Sequence, residues 1–234
     1  MIAGIIAAGH GERLQAAGIT TPKPLLPIGG RPLIARAIET ARQAGASEIA
    51  CIVNAETNRV RDYLEQTAFD LPVHIVQRTT TSSAESLLAL RPHLDADPFL
   101  LLTVDAVLAP DRVTAMVQHA RSLPEAASVL GVTTVVEDEK PLWADVGPDG
   151  RIRSLGVATD AQVVTAGVYF LQPLIYSLAD AAPPHDRTAL RALLGSLLRH
   201  RHPLYGVDVG ATVDVDRPED IASAERLLGV IEAG

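Results

Sequence analysis

Ala7-Ala8-Gly9-His10-Gly11-Glu12-Arg13-Leu14 opens a segment that runs on to Gly30, AAGHGERLQAAGITTPKPLLPIGG. It begins where the first apolar stretch, Ile2 to Ala7, ends. Connections from strand to helix in compact domains take about 2–6 residues, and this one is several times longer. It carries closely spaced glycines, Arg13, Lys23 and three prolines. A segment of this kind at a strand end either wraps a ligand or folds back on itself.

Outward from it, apolar runs alternate with helical patterns. Ile2 to Ala7 reads as a strand buried on both faces. Pro32 opens a helix ending near Gly45. Strands follow at Glu48 to Val53, Pro72 to Gln77 and Pro98 to Val104, with helices at Thr57 to Gln66 and Ser82 to Leu90, the latter stopping before Pro92. Pro110 starts another helix, in the first turn where its missing N–H costs little. This alternation predicts a parallel, doubly wound sheet with helices on both faces. The second half reads differently. Ala126 to Val135, Trp143 to Val146, Arg151 to Val157 and Val164 to Leu171 are strand-like, with Gly147-Pro148-Asp149-Gly150-Arg151 as a turn. Arg187 to His200 and Arg217 to Ile231 read as helices. The expectation is one α/β domain over 1–234, a three-layer sandwich on a mostly parallel mixed sheet, with a parallel half over 1–125 and a mixed half over 126–234. Pro183-Pro184 is a local break.

The chain has 234 residues, enough for a sizeable core. Apolar residues make up 47% but aromatic ones only 3%, so that core is aliphatic. The formal net charge of −8 argues against nucleic-acid binding, which needs a basic face. The single cysteine, Cys51, permits no internal disulfide and suits a reducing compartment. No stretch reads as a signal peptide or membrane span. The expectation is a soluble cytoplasmic protein with neither nucleic-acid nor membrane partners. Oligomeric state is left open, a homo-oligomer included.

Glycines at the carboxyl end of a parallel strand let backbone N–H groups approach phosphate oxygens. Arg13 can fork two hydrogen bonds onto a phosphate, and Lys23 can add a point charge. A Rossmann fingerprint is absent, because its third glycine position holds Leu14, and so is a P-loop. Gly9-His10-Gly11 alone is equally readable as a flexible turn. Asp105, ending the apolar strand Phe99-Leu-Leu-Leu-Thr-Val-Asp105, sits at the same sheet edge. Asp214 and Asp216 form a second acidic point in Thr212-Val-Asp-Val-Asp-Arg-Pro-Glu-Asp220. Asp216 with Glu219 and Pro218 also has the logic of a helix capping box.

The strings AAGHGERL and PKPLLPIGGRPLI resemble the signature of nucleotidyltransferases with a glycosyltransferase-A-like, Rossmann-like fold. The match is close from Ala7 to Ile34, with Arg31 where the family has lysine. The resemblance implies that Ala8, Gly9, Gly11, Arg13 and Lys23 bind the nucleotide. It makes Arg13, Lys23 and Asp105 the catalytic set. It also implies a Mg²⁺ cofactor held by Asp105 and by Asp216, with Asp214 as the alternative; Arg217 replaces a family threonine there. Gln77 matches a base-reading glutamine. Ser82 and Ser83 stand in the turn after it and serve either as nucleotide contacts or as N-caps. Val163-Val-Thr-Ala-Gly-Val-Tyr169 resembles an acceptor-binding segment, giving Thr165 and Gly167 as candidates. Glu139-Lys140-Pro141 occurs before its family position, and Lys140 reads as a solvated lysine or a phosphate ligand.

The implied activity is transfer of a nucleoside monophosphate from an NTP to a small phosphorylated acceptor, with release of pyrophosphate. A sugar 1-phosphate or similar polyol phosphate is the favoured acceptor. A molybdopterin or phosphocholine-like alcohol phosphate is the alternative, and a non-catalytic nucleotide-binding regulator is a second class. A glycosyltransferase of the same fold wants a second acid after Asp105, and Ala106-Val107 lacks it. No appended catalytic domain is expected at this length. The seven histidines show no metal-protease spacing.

Overall fold

The computed structural model describes residues 1–123, 126–136, 141–156, 162–183 and 187–229. Glu139, Lys140, Val157, Pro184, His185 and Ile231 lie outside these residues.

The first half follows the alternation read from the sequence. β1 (Ile2–Ala7) leads through the short α1 (Glu12–Ala16) and the two-residue strands β2 (Pro27–Ile28) and β3 (Arg31–Pro32) to α2 (Leu33–Gln43). Then come β4 (Glu48–Val53), α3 (Arg59–Gln66), β5 (Val73–Gln77), α4 (Ser83–Ala89), α5 (Arg91–Leu94) and β6 (Phe99–Thr103). Pro92 does not simply end the helical stretch. It sits in the first turn of α5, where no intrahelical N–H bond is forfeited. β7 (Ala106–Leu108) and α6 (Pro110–Ser122) complete this half. The second half holds β8 (Ser128–Thr133), β9 (Trp143–Val146), β10 (Ile152–Gly156), β11 (Val163–Leu171), α7 (Leu174–Ala181), α8 (Leu190–Arg199), β12 (Leu204–Asp208), β13 (Thr212–Asp214) and α9 (Pro218–Leu227).

Among the described residues, nine strands form one mixed sheet. Along β5-β4-β1-β6 every pairing is parallel, whereas β11 runs antiparallel to β6 and β8. Strand faces alternate, so each core strand feeds two cores. In β1, Ala3, Ile5 and Ala7 pack on one side, with α2, α3, α6 and α9. Ile6 packs on the other, with α4, α5, α7 and α8. β6 divides likewise, Leu100 and Leu102 against Phe99 and Leu101. The result is the expected three-layer sandwich on a mostly parallel sheet. Each fully buried Leu or Ile contributes roughly 1.5–3 kcal/mol.

Chain order reverses at β1. The strands after it, β4 and β5, lie on one side and β6 lies on the other. Such a switch point opens a crevice beyond the carboxyl ends of the strands. The glycine turn after β1 and Asp105 after β6 flank that crevice.

Candidate active site

Gly11 heads α1 with φ 65, in the left-handed region that L side chains avoid. A Cβ there would come within 3.2 Å of the Lys23 Cβ. Glycine therefore allows the turn to close down on Lys23. Lys23 starts a single 3₁₀ turn, Lys23–Leu25, and is only 7% exposed.

The second acidic segment arrives by a separate two-stranded ribbon. β13 pairs antiparallel with β7, setting Asp214 opposite Ala106. The Val215 amide donates to the Asp105 carbonyl at 3.1 Å. Asp216 is thereby carried to the Asp105 turn.

There the charges interlock. The Lys23 ammonium donates to Asp105 Oδ2 at 2.7 Å and to Asp216 Oδ1. Arg13 Nη1 donates to Asp216 Oδ2 at 3.1 Å. Burial works against the charge on Lys23, but the Asp105 and Asp216 carboxylates outweigh it and raise its pKa above the ordinary lysine value. Burial likewise pushes Asp105 up, and the opposing Lys23 charge and hydrogen bonds hold its carboxyl below the usual range. The four groups form an alternating chain of charge at the sheet edge.

The capping reading of Asp216 and Glu219 is corrected. The helix begins at Pro218, one residue later than that box requires. Asp220 reaches back instead, and its Oδ2 accepts from the amides of Asp216 and Arg217 at 2.8 and 2.6 Å. The Asp216 carboxylate is left to face Arg13 and Lys23.

A cavity of about 470 Å³ spans this edge. Ala8, Gly9, Gly11, Arg13, Lys23, Ser82, Ser83, Asp105, Asp214 and Asp216 all line it. Ser82 is also the N-cap of α4, its hydroxyl accepting from the Glu85 amide at 3.1 Å. The Ser83 hydroxyl accepts from the Leu190 amide at 3.2 Å. Ser82 thus both caps α4 and lines the cavity, whereas Ser83 lies inside α4 and lines the cavity without capping that helix. Thr165 and Gly167 line a smaller neighbouring pocket of about 60 Å³, which shares Thr103 and Asp214 with the large one.

Gln77 is the exception. It ends the edge strand β5 and is not part of the cavity wall. Its amide is engaged by Arg61 and Asn58, with Arg61 Nη1 donating to Oε1 at 3.2 Å and Nε2 donating to Asn58 Oδ1 at 2.8 Å. Thr80 and Thr81 line the wall nearest that strand. Sequence reasoning also missed His10 and Thr103 of that wall, and Asn54 behind it, whose amide meets Ala8 and His10. Asn54 follows β4 at the same carboxyl edge, a position that was itself a signal.

Among the described residues no cluster of three His, Cys, Asp or Glu side chains forms a ready metal cage. Mg²⁺ does not require one, since it takes one or two carboxylates and completes its shell with water and phosphate oxygens. Asp105 and Asp216 already converge on one cation, the Lys23 ammonium. Their hard oxygen donors fit such an ion.

A family model described as the MobA-like NTP transferase domain matches residues 3–203. The chain belongs to this family. A mannose-1-phosphate guanyltransferase of Yarrowia lipolytica is 26% identical to this NTP transferase domain, over 94% of the chain and 61% of the relative. The bifunctional protein GlmU of Methanococcus vannielii is 25% identical, over 96% of the chain and 54% of the relative. The chain thus spans little more than half the length of these curated relatives. Among solved structures, the inositol-1-phosphate CTP transferase from T. maritima superposes with a TM-score of 0.82 at 21% identity, covering 99% of this chain and 96% of that one. A putative glucose-1-phosphate thymidylyltransferase from Bacillus anthracis reaches 0.86 at 19% identity, covering 100% and 98%. These likenesses show that the NTP transferase domain shares their glycosyltransferase-A-like fold. None of its helices among the described residues is long and apolar enough to cross a membrane.

Proposed function

We propose that the protein transfers a nucleoside monophosphate from an NTP to a small phosphorylated acceptor, a sugar 1-phosphate or similar polyol phosphate, and releases pyrophosphate. The observation that carries this reading is the meeting of Arg13, Lys23, Asp105 and Asp216 around one cavity walled by the glycine turn. The relative named as a mannose-1-phosphate guanyltransferase supports it.

The NTP lies along the Ala8–Gly11 turn, whose amides face its phosphates, with the base against Thr80 to Ser83. Gln77 has no place in this scheme. The acceptor enters beside Thr165 and Gly167, and its phosphate oxygen attacks the α-phosphorus opposite the leaving pyrophosphate. No side-chain nucleophile is needed, because positioning and charge stabilisation carry such transfers. When phosphates arrive, Arg13 and Lys23 turn from Asp216 and Asp105 to the incoming anions. The released carboxylates of Asp105 and Asp216 would hold Mg²⁺, which when bound would supply charge neutralisation for the transfer. Asp214, at the junction of the two pockets, orients the acceptor and would be the alternative ligand for the ion. We read the chain as one catalytic domain that works in the cytoplasm.

Pyrophosphate release tests this directly. Each of ATP, GTP, CTP, UTP and dTTP is offered with Mg²⁺ and a panel of sugar, inositol and choline phosphates. Release requiring one NTP together with one acceptor is expected. Binding without release for every pairing would support the non-catalytic regulator instead.

A further inference from the structure

Asn54 is a buried polar residue, 7% exposed, with both ends of its amide engaged. Its Oδ1 accepts from the Glu56 amide at 2.8 Å and from the Thr79 hydroxyl at 3.2 Å. Its Nδ2 donates to the Ala8 carbonyl at 3.2 Å and meets His10 Nδ1 at 3.3 Å. It therefore joins three loops, those following β1, β4 and β5.

The orientation of this amide is fixed by its partners. A backbone N–H can only donate and a carbonyl can only accept. Oδ1 must face Glu56, and Nδ2 must face Ala8 and His10. An N–H aimed at His10 Nδ1 needs a lone pair there, so the ring proton resides on Nε2. The Glu56 carboxylate, 3.3 Å from the same Nδ1, would favour the opposite tautomer. Its side chain is 63% exposed, however, and water screens it.

The geometry points to Asn54 as a positioning residue for the nucleotide turn. It pins the Ala8 carbonyl and selects the Nε2–H tautomer of His10. His10 lines the cavity and with that tautomer offers it an Nε2–H donor. The inference rests on the nucleotide reading for its consequence, but the tautomer is a property of the free protein.

The test is long-range ¹H–¹⁵N NMR of the His10 ring in its neutral form, assigned with His10→Gln. The wild type and Glu56→Gln should both show Nε2–H. Asn54→Asp, which puts an acceptor against Nδ1, should move the proton to Nδ1. It should also weaken NTP·Mg²⁺ binding by about tenfold or more, the scale seen when groups that orient ligands are removed. An Nδ1–H tautomer in the wild type, or one that changes in Glu56→Gln, overturns the inference. So does an Asn54→Asp variant that changes tautomer yet binds nucleotide as the wild type does. If Asn54→Asp fails to fold, the wild-type and Glu56→Gln spectra still decide. Failure of the wild type to bind any of the five NTPs overturns the nucleotide reading, and the tautomer alone then decides the role of Asn54.

Discussion

The amide of Val215 donates to the carbonyl of Asp105 at 3.1 Å, and this bond ties the two acidic segments into one site. It uses the backbone of Asp105 and not its carboxylate. Asp105→Asn therefore leaves the ribbon intact while removing the charge. Turnover should fall by about 10²–10³-fold, the scale of losing one preorganised charge-stabilising group. Circular dichroism should match the wild type, and melting should stay cooperative but at a somewhat lower temperature, because the buried Lys23 ammonium loses one of its carboxylate partners. Loss of the fold would make Asp105 structural.

Lys23→Met removes the cation between two carboxylates. A fully buried broken pair costs about 3–5 kcal/mol, but Asp216 is partly open to water, so roughly 2 kcal/mol is expected. The pH dependence follows from the two shifts. Asp105 is depressed, so its share is present above its ordinary value of 3.8 and lost as pH falls through its folded value. Lys23 is raised, so its share is present below 10.5 and lost as pH rises through its folded value. The deficit of the variant in urea melts should stay level between those limits and shrink outside them. Mg²⁺ should stabilise Lys23→Met more than the wild type, because the carboxylates then lack their resident cation.

Asp220→Ala separates the two capping assignments. Losing a cap costs ~1 kcal/mol, and this one also aligns the Asp216 backbone. Turnover should fall with stability. Glu219→Ala should stay within about 0.5 kcal/mol of the wild type, as an ordinary surface change does. The reverse ranking would restore the capping box of Asp216 and Glu219.

Gly167 has φ 71, and a Cβ there would lie 2.5 Å from Thr103 Oγ1 and 2.7 Å from the Ala106 Cβ. Gly167→Ala should destabilise the protein by about 1–3 kcal/mol through overpacking, with backbone strain in addition. Because Thr103 and Ala106 flank Asp105, kcat should fall too. A neutral melting temperature would show that β11 can relax there.

Much of this was legible in the sequence, for identifiable reasons. β1, β4 and β6 are continuous apolar runs, and such runs are visible without knowing their partners. The glycine turn with Arg13, and Asp105, directly follow β1 and β6, where chain order alone assigns them to one edge; Lys23 reaches that edge from the 3₁₀ turn further along the loop. β7 and β13 were not legible. Each is three residues long, and they exist because they pair with each other across a wide sequence separation. The capping of α9 was misread because Asp216, Glu219 and Asp220 all offer carboxylates at suitable spacing. Only the start of the helix at Pro218 selects Asp220. Gln77 lies apart from the cavity wall for a tertiary reason, since Arg61 and Asn58 of the neighbouring helix and loop engage its amide. Asn54 was overlooked because its role is a set of hydrogen bonds to other loops, which leaves no local pattern.

The central claim is that Asp105 and Asp216 change partners, from Lys23 to a divalent ion, when a triphosphate occupies the glycine turn. A crystal structure with Mg²⁺ and a non-hydrolysable NTP tests it most directly. The account predicts both carboxylates at about 2.1 Å from the metal, with Arg13 and Lys23 on the phosphates. A nucleotide bound away from the Ala8–Gly11 turn, or a metal held without Asp105 and Asp216, would contradict it.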